Sequence, residues 1–192
     1  FDMEPGLEST RYFRMGNIRH IPDDKGRINT YPSYPYAACL AVVEVDIETG
    51  VITLLRYVAV HDCGTIVNPT LVEGQFQGAV AQGLGGLMYE ELSYDENGQL
   101  QTGTLMDYTM PTAIEVPEVE IHHQVVPSPF TPLGTKGAGE SGVSSPFGTI
   151  VSAVEDALQP FAVKVRNTPL APERVWRLIR DARIKNEGEH AR

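Results

Sequence analysis

Two apolar, β-branched runs, residues 38–46 and 51–60, flank the short segment Glu48-Thr49-Gly50, a pattern that predicts a β-hairpin. Asn68 then offers an N-cap and Pro69 a first helical residue. From there a helix is expected over residues 70–91, because Leu71, Phe76, Val80, Leu84 and Leu87 recur near helical spacing. Asp95-Glu96-Asn97-Gly98 reads as a hairpin turn, and residues 118–126 alternate like a half-buried strand. A Pro/Gly-rich loop follows over residues 127–142, and Ser145-Pro146 opens a helix that runs to about Leu158. A short strand is expected at residues 161–165 and an amphipathic helix at 172–182. Residues 1–37 carry no period and read as an irregular segment, whereas residues 183–192 form a charged tail expected to fray. Strands and helices that do not alternate strictly as βαβ indicate the α+β class: a mixed sheet with hairpins, one glycine-rich helix and further helices toward the C-terminus.

Composition narrows the possibilities. The chain has 192 residues, enough for one domain of about 150 residues with extra segments. A chain of this size buries roughly 70% of the surface its unfolded form exposes, so its core needs no covalent staples. Lys and Arg number 15 against 25 Asp and Glu, a formal charge of -10, and no cationic run appears; a nucleic-acid partner is therefore not expected. Two cysteines, Cys39 and Cys63, make no disulfide framework and suit a reducing, cytoplasmic setting. No apolar stretch is long enough to span a membrane and no secretory leader is visible. The chain opens Phe1-Asp2 without an initiator Met, which suggests a piece of something longer.

Two features call for a chemical reason. The helix expected at 70–91 holds Gly74, Gly78, Gly83, Gly85 and Gly86, each costing about 0.8–1.0 kcal/mol relative to Ala, so something must approach closely. The loop Gly134-Thr135-Lys136-Gly137-Ala138-Gly139-Glu140-Ser141-Gly142 combines bare backbone N–H groups with one carboxylate and one cation, a set suited to a ligand rich in acceptors. A flexible, solvated loop is the plainer alternative. Gly137 to Gly142 fits G-x-G-x-x-G, but prolines rather than a strand precede it, which excludes a dinucleotide fingerprint. The Lys-Ser/Thr pair of a Walker A loop and the spacing of a nucleophile elbow are both missing. His122 and His123 point to opposite faces of a strand, and His61-Asp62-Cys63 lacks a second ligand group at a metal-site spacing, so no metal ligands are assigned.

Three motifs in order resemble one family. They are Val60-His61-Asp62-Cys63-Gly64-Thr65-Ile66-Val67-Asn68-Pro69 leading into residues 72–85, then Asp107-Tyr108-Thr109-Met110-Pro111-Thr112, then residues 134–142. Together they are similar to the C-terminal part of the molybdenum-binding large subunit of the xanthine dehydrogenase/aldehyde oxidase family, in particular its carbon monoxide dehydrogenase-like branch. The likeness covers about residues 38–180. It implies that residues 38–182 are a portion of the second molybdopterin-binding domain type. Within it Gln75, Lys136, Gly137, Ala138 and Gly139 would contact molybdopterin, the cytosine dinucleotide form included, and Glu140 would be the catalytic glutamate.

The reaction so implied is oxidation of an aldehyde or N-heterocycle-type carbon, with water as the oxygen source and Glu140 as general base. A carboxylate is ionised at neutral pH, as a base must be. The implied partners are the remaining domains of the molybdenum subunit, an iron–sulfur subunit and a flavin subunit, in an oligomeric complex acting on a small molecule. Iron–sulfur clusters and FAD would sit on those partners only. The resemblance also implies that this chain is a fragment, or the small member of a split subunit, and that it exposes apolar faces. A non-catalytic assembly or interaction module on the same fold is the alternative.

Overall fold

The computed structural model describes residues 6–190 other than 14 and 17; Phe1-Asp2 and the last two residues of the tail lie outside the described residues. The hairpin is β1 (Tyr36–Val45) and β2 (Ile52–Asp62), paired antiparallel. The glycine-rich helix is α1 (Pro69–Met88), followed by β3 (Val119–His123), α2 (Ser145–Ala157) and α3 (Pro172–His190). β3 adds to β2 in parallel, so the three strands stand in the order β1-β2-β3. The expected α+β class with a mixed sheet is therefore what the chain forms.

The register of the hairpin slips between Val42 and Val43, which pair with Arg56 and Leu54, leaving Leu55 as the extra residue of a bulge. One inserted residue switches which side chains face inward. Ile52 and Leu54 face the helices before the bulge; Tyr57, Ala59 and His61 are the buried positions after it. All three helices cover this one face. Phe76, Val80, Leu84 and Leu87 of α1, Ile150 and Val154 of α2, and Val175 and Ile179 of α3 close a single core on Tyr57, Ala59 and Val119. Leu40, Val42, Leu55 and Val60 of the hairpin remain exposed.

The strand expected at 161–165 does not form. A 3₁₀ turn, Gln159–Phe161, occupies its start, and Ala162 takes a left-handed conformation (φ 55°) that an extended strand cannot accommodate. Val163 still buries its side chain from irregular backbone. The strand expected over 118–126 keeps only 119–123, because the Val126 N–H donates to Asp62 Oδ1 instead of a ladder carbonyl. α1 ends at Met88 rather than 91, where Tyr89 leaves helical geometry as the C-cap. α3 continues to His190 through the stretch expected to fray. Among the described residues of 6–35 there is no helix or strand beyond one bridge, Arg19 with Asn29.

A ribbon slung between two anchors: the candidate cofactor site

Residues 137–141 form a short ribbon held at both ends. Its N-terminal anchor is Lys136. The Lys136 N–H donates to the Cys63 carbonyl (2.8 Å), and its ammonium lies 2.5 Å from Asp62 Oδ2, both side chains almost fully buried. The same ammonium stands over the Tyr36 ring at 5.4 Å. Asp62 also accepts the N–H groups of Gly64 (2.8 Å) and Val126 (3.2 Å) on Oδ1, so one carboxylate joins the end of β2, the segment after β3 and the loop. Burial works to raise the Asp62 carboxyl, but the Lys136 ammonium and the two backbone donors outweigh it and hold its pKa below the ordinary value.

The C-terminal anchor is Gly142, pressed onto α1. A β-carbon there would stand 2.9 Å from the Phe76 carbonyl oxygen and 3.1 Å from the Ala79 methyl, so only glycine lets the loop lie this close. Ser145 Oγ donates to the Gly142 carbonyl (2.7 Å) and accepts from the Tyr57 hydroxyl (2.7 Å). Burial pushes the Tyr57 phenol up to about 12, so this hydroxyl keeps its proton throughout the physiological range. Further along α1, a β-carbon on Gly83 would overlap the Val143 carbonyl. Two of the close approaches that the glycine-rich segments implied are thus between helix and loop.

Between these anchors the ribbon is open. Among the described residues, the backbone N–H groups of Gly137, Ala138, Gly139 and Glu140 donate to nothing in the chain. Beyond Gly137 there is empty space where a side chain would stand. Gln75, exposed on α1, meets the ribbon: its Oε1 lies 3.6 Å from the point a Gly139 β-carbon would occupy. The Gln75 amide has no hydrogen-bond partner among the described residues. The exposed Glu140 follows Gly139 directly. Unpaired N–H donors on consecutive residues, with a free amide beside Gly139, can receive a polyanionic, acceptor-rich ligand.

Of the expected residues, Gln75 meets the ribbon at Gly139, and Gly137, Ala138 and Glu140 adjoin that point along the chain. Lys136, expected with them, turns its ammonium inward to Asp62 instead. A cavity of about 860 Å³ away from these residues is lined by Glu91, Arg166 and Arg174. Gly74 and Gly78, whose small size suggested room for an approaching group, face open space.

The family model for the molybdopterin cofactor-binding domain matches residues 1–117, more than half of the chain, and includes Gln75. The chain belongs to the molybdopterin cofactor-binding domain family. This molybdopterin-binding domain is 36% identical to the carbon monoxide dehydrogenase large chain of Hydrogenophaga pseudoflava, over 93% of its own length and 20% of that protein's. It is 40% identical to the nicotine 6-hydroxylase large subunit of Paenarthrobacter nicotinovorans, over 91% of its length and 20% of the relative's. Reconstituted CO dehydrogenase from Oligotropha carboxidovorans superposes with a TM-score of 0.75 at 34% identity, covering 80% of this chain and 19% of the other. The domain thus spans about a fifth of the length of the molybdenum oxidoreductase subunits it matches. The resemblance carried by the three motifs and the fold agree with this placement.

His61 and Asp62 gained no ligand role from the sequence. Among the described residues no group of three or more His, Cys, Asp or Glu side chains could hold a metal ion. His61 is fully buried with its ring 4.8 Å from Phe76, and neither ring nitrogen has a hydrogen-bond partner. Burial, then the neighbouring His123, push its pKa down, while Asp62 opposes them. The part of the site that sequence reading missed is the Asp62–Lys136 tie. An acid and a base 74 positions apart give no local sign that they will meet.

Proposed function

We propose that this domain forms the cofactor-contacting ledge of a molybdenum hydroxylase that oxidises an aldehyde or N-heterocycle-type carbon with water as the oxygen source. The observation that carries this reading is the meeting of the unpartnered Gln75 amide with the open, unpaired N–H ribbon at Gly139. Those groups fit molybdopterin, whose phosphate and pterin edge present acceptors to backbone donors. Gln75, Gly137, Ala138 and Gly139 would hold the cofactor, in a form that includes the cytosine dinucleotide, and Lys136 would serve by fixing where the ribbon begins. Bound molybdopterin supplies the two-electron redox centre that the protein's own side chains lack.

Glu140 takes the proton from the oxygen nucleophile. Its place on a ribbon fixed at both ends gives it a defined position, which matters because a general base must come within about 2.6–3.2 Å of the proton it removes. The neighbouring N–H groups orient the cofactor without competing for that proton, since they only donate. Electrons leave through iron–sulfur and flavin subunits of a cytoplasmic complex, and further domains of the molybdenum subunit complete the pocket and select the substrate.

The test is Glu140→Gln in the protein as its gene encodes it, purified with its accompanying subunits and assayed on aldehydes and N-heteroaromatics. Molybdenum content stays at the parental level while turnover falls by about 10²–10⁴-fold, the usual contribution of a positioned base. Turnover within a few-fold of the parent would remove Glu140 from the catalytic role. A parent that purifies with partners but without molybdenum would favour the non-catalytic module instead.

A further inference from the structure

We infer that Asp62 is a positioning residue for the cofactor ledge: through its buried ion pair with Lys136 it fixes where the 137–141 ribbon starts, and hence where the N–H donors and Glu140 stand. The inference rests on the functional reading above and deepens it.

The geometry singles out Asp62 in three ways. First, its carboxylate is saturated by donors from three separate segments: the Gly64 N–H, the Val126 N–H and the Lys136 ammonium. Second, the last backbone bond before the open ribbon is Lys136 N–H to the Cys63 carbonyl, the residue next to Asp62, so side chain and main chain pin the same point. Third, the ribbon's own bonds are local, Ser141 Oγ to the Ala138 carbonyl (2.7 Å) and the Val143 N–H to the Glu140 carbonyl (3.2 Å), and its next packing onto another element is Gly142 on α1. So short a span between two fixed ends has little freedom, whereas the same span released at one end is an exposed loop. A buried pair of this kind adds little net stability over a well-packed apolar pair, so what it offers here is a defined geometry.

The test uses the full protein with its accompanying subunits in three forms: parent, Asp62→Asn/Lys136→Met, and Lys136→Arg. The double variant strands no buried charge, and the amide that replaces the Asp62 carboxylate keeps an oxygen for Gly64 and Val126; the Lys136→Arg variant keeps the pair. The first readout needs no cofactor. It is the rate of cleavage by a glutamyl endopeptidase after Glu140, relative to cleavage after Glu96 in the remote hairpin turn. That ratio rises about fivefold or more in the double variant and stays within about twofold of the parent in Lys136→Arg, because proteolysis reports the population of the opened segment. The second readout is molybdenum per subunit together with the Mo(V) electron paramagnetic resonance spectrum. Molybdenum content falls by at least about half, or the spectrum shifts, in the double variant, and both are parental in Lys136→Arg.

A double variant with the parental cleavage ratio overturns the inference, and so does one with parental molybdenum content and spectrum. If the double variant does not accumulate, Asp62→Glu takes its place, moving the carboxylate by one methylene; unchanged readouts there overturn the inference equally. If the parent itself carries no molybdenum while the cleavage ratio responds, the functional reading fails and the mechanical tie stands.

Discussion

The amide oxygen of Gln75 lies 3.6 Å from the point where a β-carbon on Gly139 would stand, which joins the first turns of α1 to the middle of a ribbon 64 positions later. Neither group is committed to another partner among the described residues. Their meeting brings two ordinary surface features, an exposed glutamine and a glycine-rich loop, side by side.

Gln75→Ala follows from this directly. Gln75 is exposed, so its replacement shifts stability by less than about 0.5 kcal/mol and leaves the thermal midpoint of the apo-protein unchanged. The loss of one hydrogen bond to the cofactor, about 1 kcal/mol, weakens its retention about fivefold. Molybdenum content after extended dialysis checks this; equal retention by parent and variant would place the cofactor away from α1.

Gly142→Ala and Gly139→Ala should behave oppositely. At 142 the added methyl meets the Phe76 carbonyl at 2.9 Å, Ala79 at 3.1 Å and Val80 at 3.3 Å, so helix and loop must part. Overpacking of this kind costs about 1–3 kcal/mol. At 139 the methyl makes an ordinary contact at 3.6 Å, and the fold tolerates it. Thermal midpoints of the two variants, compared with the parent, decide whether the packing of the loop on α1 is as close as described.

His61 makes the fold sensitive to mild acid. Its folded-state pKa is pushed down by burial and by His123, so the unfolded chain takes up a proton at about pH 6.5 while the folded chain does not. Stability from this group is complete above that pH and is lost as the pH falls toward the folded-state pKa, by up to about 1.4 kcal/mol per pH unit. His61→Leu removes the titration. The drop in thermal midpoint between about pH 7.5 and 5.5 should therefore be smaller in the variant, and an identical drop would assign the acid sensitivity to other groups.

Local pattern was sufficient for the hairpin, for α1 with its Asn68-Pro69 start, for α2 and for the placement of the glycine-rich loop, because burial periodicity and caps act within a few residues. The same reasoning failed at residues 161–165, where Val163 is buried and Val165 half-buried without a strand. Apolar character there reports burial, and the backbone is decided by Pro160 and by the left-handed Ala162. It also ended α3 too early, since a charged run gives no sign of whether a helix already begun at Pro172 will continue.

By itself the sequence determined the hairpin, α1, α2, the family and the residue types on the ledge: these are carried by spacing and by an ordered set of motifs. What only the tertiary structure decided is which of those residues face one another. It set Gln75 against Gly139, and it drew the Lys136 ammonium away from the open ledge into a buried partnership with Asp62. The physical reason is that a charge follows the nearest compensating charge in three dimensions, because burying it unpaired costs several kcal/mol, about 3–5 when one partner of a buried pair is removed. Distance along the chain carries no information about where that partner will be.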